Sequence, residues 1–573
     1  MRTLHYQTDV CVVGGGISGL CAALAAARHG VNVILVQDRA VLGGNSSSEI
    51  RMHVCGSWGR DNRETGIVEE IFLENFHYNP DSKFPLWDAT LYSIAISQKN
   101  LTMLLNSSCM DAEMDGNRIK EITAWQSNAE TFHKITATYF IDCSGDSILA
   151  PLSGAAFRYG REAKSEFNES IPPDVADKKT MGMSCIFSIR ECTEKKEFTP
   201  PPWAYVFETD DDLPFKDHHT NTNFWWIEVG GEWDCIHDTD RCREECLKIC
   251  YGVWDHMKNR GDHGVDNWEL EWVGLLPGKR ESRRYVGKYT VNQNDVEAEG
   301  RFDDLVAYAG WAMDDHFPAG FYYRDGYPTI YHPAPQPWGL PLRCMISENI
   351  ENLLFAGRNI SVTHAALSSS RVAATCGVLG QAIGTAAALA LHTGVSVENV
   401  DIRLLQKQLM DDDCYLPWHT REVSPICAAA KCSAPVVIDG HDRGDDHMWV
   451  GKPGDSISYE FKEPVSVSKV RLVFDSNLNR DIKNMPYVFP LNGPKFQTPE
   501  TLIRDYEIEL VTEDGKKICI EKKNNYQRFV VLDLLAPEYA DQMSDALRIV
   551  SARLIPKSTY GCESFNVYNF ELI

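Results

Sequence analysis

The stretch from Thr8 to Arg39 constrains this chain more than any other. An apolar run ends at Val13, Gly14, Gly16 and Gly19 follow in Gly-x-Gly-x-x-Gly spacing, an alanine-rich run reaches His29, and a second apolar run closes on Gln37, Asp38 and Arg39. Strand, turn, helix and strand in that order are the fingerprint of a dinucleotide fold. Gly14 permits the tight turn, Gly16 lets backbone N–H groups approach a pyrophosphate at the helix N-terminus, and Gly19 lets helix and strand pack closely. Where the second strand ends, an acidic residue usually accepts the ribose hydroxyls; the aligned residue here is Gln37, with Asp38 beside it.

Composition narrows the function classes. A chain of 573 residues with formal net charge −25 has room for two to four domains, and its acidic balance argues against nucleic acid or an anionic membrane as partner. The first strand starts almost at the N-terminus, leaving no room for a secretory signal, so the cytoplasm is expected. The eighteen cysteines include no Cys-x-x-Cys pair, which removes the simplest redox-disulfide, zinc-ribbon and iron–sulfur readings, and reduced thiols are expected. Cys242, Cys246 and Cys250 recur every four residues and read as one face of a half-buried helix rather than a metal site. Residues 372–391 are uncharged and nearly long enough to span a bilayer, but their Gly, Ala and Gln381 read better as a buried core helix.

Three further segments point to the same ligand. After Arg39, a loop carrying Gly43, Gly44, Asn45 and Ser46 should lie over the C-terminal edge of the sheet; Arg51 and His53 then alternate along an extended segment and are expected to face one pocket. From Asn100 an apolar run and a turn at Asp115-Gly116-Asn117 read as a strand and hairpin, followed by a strand that ends in Asp142 and opens into Ser144-Gly145-Asp146. A short strand then delivers Gly357 and Arg358 to the sheet edge, ahead of a helix with Gly377, Gly380 and Gly384.

Together these segments resemble the FAD-dependent oxidoreductases of the glutathione-reductase-like flavoprotein superfamily, the group with Gly-Gly-Asn-Ser-Ser after the second strand and Ala-Gly-Arg near the end of the flavin domain. The likeness covers roughly residues 5–400 and implies an α/β fold, a Rossmann-like FAD-binding domain with an inserted α+β cap domain. Beyond residue 432 short alternating apolar runs, among them Pro435-Val-Val-Ile, Ser468-Lys-Val-Arg-Leu-Val-Phe, Tyr506-Glu-Ile-Glu-Leu-Val and Ala546-Leu-Arg-Ile-Val, read as the strands of a C-terminal all-β jelly-roll sandwich, similar to the galactose-binding-like kind. Boundaries are expected at 1–155 and 346–400 for the FAD-binding parts, 156–345 for the substrate or cap domain, 401–432 for a helix and linker, and 433–573 for the sandwich. By the resemblance FAD is held by Gly14, Gly16, Ser18, Gly19, Gln37, Asp38, Arg39, Gly43, Gly44, Asn45, Ser46, Asp146, Gly357, Arg358 and Arg371. Leu276-Pro-Gly-Lys-Arg-Glu-Ser-Arg-Arg and Gly310-Trp-Ala-Met-Asp-Asp-His resemble the same family; Arg283, Arg284, Asp315, His316, Tyr331, His332, Trp338 and Arg343 are therefore candidates to line a substrate pocket.

No second Gly-x-Gly-x-x-Gly follows a strand, so a separate nicotinamide domain is not expected; the electron acceptor is left open. Histidine suits the base that takes a substrate proton. The candidates are His364, His53 and His316, with His364 first because it follows Arg358 in the turn expected near the flavin. Arg51, Arg343 and Arg371 are expected to orient an oxygen-rich substrate. The expected activity is oxidation of a C–OH group on a small polar molecule, a sugar or glycoside. The alternatives are a C=C reductase similar to fumarate reductases, and a lyase or carbohydrate-binding protein with structural FAD. Covalent FAD through His53 or Cys55, a calcium ion at the acidic turn 439–446, and a homo-oligomer remain open; no metal ligand is assigned.

Overall fold

The computed structural model describes residues 1–481, 483–489, 496–539 and 547–573. It divides into two compact units: Met1–Trp58, Ser82–Leu405 and Met485–Lys495 form the first, and Gly59–Asp81, Gln406–Asn484 and Phe496–Ile573 the second.

The first unit is built on a seven-stranded sheet. Its parallel part runs β3 (Leu101–Leu104), β2 (Val33–Val36), β1 (Arg2–Val13) and β6 (Thr131–Asp142), and the short strand Leu353–Phe355 pairs parallel with the last three residues of β6. β2 is Val-Ile-Leu-Val and wholly buried, as a central parallel strand covered on both faces must be. The expected hairpin is β4 (Ser107–Asp115) and β5 (Arg118–Gln126), turning through Gly116 at φ 60°. All five parallel strands end at one edge, which gathers the segments after Val13, Val36, Leu104, Asp142 and Phe355.

Helix α1 (Ile17–Arg28) packs against the helix Ala373–Thr393, and small residues set their spacing. A Cβ on Gly380 would stand 2.0 Å from the Ser18 carbonyl oxygen, one on Gly384 2.3 Å from that of Ala22, and one on Gly19 1.8 Å from that of Gly14. The helix Ala373–Thr393 passes the length and hydropathy test for a membrane span, yet 89% of its apolar window is buried inside the protein. It is the core helix that the Gly/Ala pattern predicts.

The insertion does not separate from the first unit. Its core forms around the helix Thr239–Asn259, where Cys242, Cys246 and Cys250 are all buried with Val253 and Trp254 against the strands Met183–Ser184 and Phe187–Glu191.

In the second unit a five-stranded and a four-stranded antiparallel sheet share one apolar core. Alternation places Tyr506, Ile508 and Leu510 inward from one sheet and Val470 and Leu472 from the other. Two expectations change. Pro435–Ile438, read as a strand, is a short 3-10 helix, since Pro435 supplies no ladder donor. The helix Ile67–Tyr78, expected within an FAD-binding domain of residues 1–155, belongs to the second unit. Glu69 there accepts both Arg480 amino groups at 2.6 and 2.7 Å and the Ser476 hydroxyl at 2.6 Å, all buried. Ala546, expected to open the strand seen at Leu547–Thr559, lies outside the described residues. In the acidic turn Asp442 is paired with Arg471 at 2.8 Å, and Asp439 Oδ2 lies 2.7 Å from His447 Nδ1.

Candidate active site

The edge where the parallel strands end opens into a cavity of about 810 Å³, contained within the first unit. Its floor is backbone. Gly14 sits at φ 103°, where a Cβ would be 2.5 Å from the Cys143 carbonyl, and Gly44 at φ 59° brings its own Cβ position to 3.1 Å from Gly16 Cα. Helix α1 begins at this point with no side chain capping its N-terminus, leaving its first N–H groups and its dipole aimed outward. Gln37 braces the cradle: its Oε1 accepts the Gly15 N–H at 2.7 Å and its Nε2 donates to the Val41 carbonyl at 3.1 Å. Each end of that amide makes one bond within the loop, which fixes the side chain in the cavity lining, and Asp38 beside it holds the exposed carboxylate. Asn45 and Ser46 bond the carbonyls of Lys279 and Gly43 at 2.9 Å each and fix the loop over the edge.

The second strand edge divides its labour. Asp142 is fully buried and accepts from Ser144 N and Oγ, Leu149 N and the Tyr285 hydroxyl at 2.6–2.9 Å, so it shapes the turn and does not reach the cavity. Asp146 does reach it, bonded to Lys279 at 2.7 Å, Arg358 at 2.8 Å and Ser282 at 2.8 Å. Burial raises its carboxyl, but the Arg358 and Lys279 charges outweigh that and hold it at about 2. The Nε atoms of Arg39, Arg358 and Arg371, all on cavity-lining residues, are buried without a hydrogen-bond partner. A glycine cradle, an uncapped helix N-terminus and three guanidinium groups with unspent donors make a donor set suited to a long anionic ligand.

Another part of the lining carries proton-transfer groups. His316 lies on the strand Met313–His316 with its Nδ1 2.7 Å from Glu228 Oε2 and its Nε2 3.5 Å from Asp314 Oδ1. Glu228 is fully buried; desolvation raises its carboxyl, but Arg280, 3.3 Å away, and His316 bring it below its usual value. A carboxylate that accepts the Nδ1 proton leaves Nε2 as the working nitrogen. Asp314 also holds Arg371 at 3.1 Å, and Arg371 precedes Val372 and Ala373 at the start of the core helix, where they line the same cavity. Trp225 meets the His316 ring edge-on at 5.6 Å, and Trp311 and Tyr331 complete an aromatic wall. His53 also lines the cavity, bonded through Nδ1 to Asn223 at 3.1 Å and stacked on Tyr487 at 5.1 Å.

Several expected residues lie elsewhere. His364 is buried between Glu281, 2.9 Å from Nδ1, and Asp315, 3.0 Å from Nε2, and does not line the cavity. Burial lowers its imidazole, but those two carboxylates push it up to about 10, so it is a paired cation and not a base. Asp315 serves that pair. Arg51 turns away because its own φ of 63° breaks the extended alternation with His53; its guanidinium lies over the Trp272 ring at 4.1 Å and the Phe84 ring at 4.4 Å. Arg284 is buried in ion pairs with Glu162 and Glu281. Arg283 donates to the Asp146 carbonyl and sits over Phe157. Arg343 pairs with Asp304 over the Tyr289 ring, and Trp338 is fully buried, its Nε1 donating to Ser369 Oγ at 2.9 Å. His332, on the neighbouring strand, and Gly19 are outside the lining; a Cβ on Gly19 would meet the Gly14 carbonyl oxygen. Asp314, Lys279, Arg280, Asn223 and Trp225 line the cavity, and the buried Glu228 reaches it through His316; the sequence did not mark any of them.

Residues 9–409 match the family model described as FAD dependent oxidoreductase. A segment of 64 residues is 39% identical to digoxin reductase of Eggerthella lenta, 11% of this chain and 11% of that one. Another of 161 residues is 26% identical to flavin-containing amine oxidase A of Equus caballus, 24% of this chain and 29% of that one. The chain thus spans less than a third of the length of either curated relative. A geranylgeranyl bacteriochlorophyll reductase-like structure from Thermoplasma acidophilum is similar over 72% of this chain and 85% of that one, at 11% identity and TM-score 0.33.

Proposed function

The chain belongs to the FAD dependent oxidoreductase family, and on that premise we propose that it oxidises a C–OH group of a sugar or glycoside, with His316 as the base. FAD, when bound, supplies a two-electron acceptor that takes hydride from carbon. We assign its diphosphate to the Gly14–Gly16 cradle and the N-terminus of α1, and its remaining polar groups to Asp38, Arg39, Gly43, Gly44, Ser18, Arg358 and the start of the helix Ala373–Thr393. The Nε atoms of Arg39 and Arg358, buried without a hydrogen-bond partner, support that assignment. Lys279 and Arg358 are held in place by Asp146.

The observation that carries the catalytic reading is the Glu228–His316 pair at the cavity wall. His316 Nε2 accepts the hydroxyl proton, and Glu228 fixes the ring and stabilises its charged form. Asp314 and Arg371 orient neighbouring oxygens. Trp225 and Trp311 offer flat apolar faces for the C–H side of a pyranose, while Asn223 and Thr222 offer short polar groups; that mixture is what favours a sugar over an apolar alcohol. The two antiparallel sheets of the second unit support its assignment as a galactose-binding-like jelly roll. The test is anaerobic spectroscopy of the FAD-loaded protein against a panel of sugars and glycosides. Bleaching of the flavin band by at least one of them is expected, and no bleaching by any would overturn the sugar reading.

A second reading, reduction of an activated C=C bond, is favoured by Arg371, whose Nε is buried and unpartnered at the cavity and which can donate to a carbonyl conjugated with the double bond. It predicts that chemically reduced protein is reoxidised by enoates or unsaturated lactones and not by keto sugars.

A further inference from the structure

A second cluster of titratable side chains lies in the insertion, apart from the cavity lining. Asp210, His218, His256 and His263 each present one ligand atom, and the four atoms lie within 4.8 Å of one another. Asp210 Oδ1 is 2.9 Å from His256 Nε2, 3.3 Å from His218 Nε2 and 3.8 Å from His263 Nε2. The three imidazole rings stand 4.8, 5.0 and 5.2 Å apart, centroid to centroid. A tetrahedral ion with bonds of about 2.0–2.1 Å has ligand-to-ligand edges of about 3.3–3.4 Å, and the three distances from Asp210 straddle that value.

The other face of two rings supplies the independent observation. His218 Nδ1 lies 2.6 Å from the Lys216 carbonyl oxygen and His256 Nδ1 2.9 Å from that of Phe207. A carbonyl oxygen only accepts, so each Nδ1 carries a proton and each ring is held with its Nε2 toward Asp210. Two imidazole nitrogens and a carboxylate oxygen thus face one point, a donor set that suits a cation. Histidines oriented by a backbone carbonyl at Nδ1 while Nε2 points at a shared centre have the outer-shell arrangement of metal-bound imidazoles.

We propose that Asp210, His218, His256 and His263 bind a divalent zinc ion as a closed four-ligand structural site. Three imidazole nitrogens and one carboxylate suit zinc rather than calcium or magnesium, and four protein ligands leave no open position for catalysis. The ion ties the 3-10 turn Asp210–Asp212 and the following loop to the last turn of the helix Thr239–Asn259 and to the segment beyond it. Asn221, Thr222 and Asn223, a few residues after His218, line the large cavity, and Asn223 holds His53. The clip therefore anchors a loop whose far end shapes that cavity.

The test is metal analysis of the full-length, FAD-loaded protein after zinc loading and exhaustive dialysis, beside His218→Gln/His263→Gln. About one zinc per chain is expected in the wild type and less than about a tenth of that in the double variant, with FAD content equal in both. Cobalt in place of zinc is expected to give intense tetrahedral bands to the red of the flavin absorption, and zinc, but not magnesium, to raise the wild-type melting temperature by about 5 °C. The last two measurements need no variant. Wild-type protein that retains less than about a tenth of an equivalent of zinc, or a folded double variant that retains as much as the wild type, would overturn the proposal.

Discussion

His316 and His364 both touch two carboxylates, yet only His316 faces the cavity. Replacing His316 by Gln is expected to lower kcat by about 10²–10⁴-fold with FAD content unchanged, measured by turnover of whichever sugar bleaches the flavin; an unaltered kcat removes His316 from the chemistry. His364→Gln should act on stability instead, because removing one partner of a buried charge cluster costs about 3–5 kcal/mol. The sign of its pH dependence follows from the raised imidazole. Its contribution is fully present below its ordinary value of 6.5 and is lost as pH rises through about 10. The melting-temperature gap between wild type and His364→Gln should therefore narrow across that window, and a gap constant with pH would contradict the pairing. Part of this was legible in the sequence. On the strand Met313–His316 neighbours face opposite sides, so Asp314 goes with His316 and Asp315 with the buried His364. Applied to Asp315 and His316, that rule excludes their sharing a pocket. Glu228 carries no such signal, because its neighbours in sequence read as an ordinary apolar strand.

Between elements, glycine sets how closely α1 approaches the helix Ala373–Thr393. The Gly/Ala pattern foretells a tight helix pair, and the structure supplies the partner. Gly380→Ala pushes a Cβ to within 2.0 Å of backbone at Ser18, and this overpacking is expected to cost about 1–3 kcal/mol. Because α1 also forms the cradle floor, the same variant should lose FAD more readily on dilution; urea unfolding and fluorescence of released FAD check the two effects separately. The fingerprint glycines, the hairpin and the strand edges at Asp146 and Arg358 were readable because local spacing determines them. Arg51 was not, since neither its left-handed backbone nor its contacts with Phe84 and the distant Trp272 are written in local spacing.

At the scale of the whole molecule the chain order misleads, because the helix Ile67–Tyr78 belongs with strands several hundred residues later. Its apolar periodicity is equally compatible with either unit, and the choice shows in its contacts, the buried Glu69–Arg480 pair and the Phe76–Phe496 and His77–Tyr526 ring contacts among them. Glu69→Ala is expected to destabilise the second unit by about 3–5 kcal/mol and, since units unfold separately in many multidomain chains, to lower one calorimetric transition selectively. Two transitions lowered equally would count against the division. The central claim is that the cavity at the end of the parallel sheet holds FAD, and the most direct measurement is bound FAD per chain after dialysis, in wild type and in Gly14→Val. At φ 103° with a carbonyl 2.5 Å from its Cβ position, Gly14 admits no side chain. About one FAD per wild-type chain and less than about a tenth in the variant are expected; a colourless wild-type protein that takes up no added FAD would contradict FAD binding in this cavity.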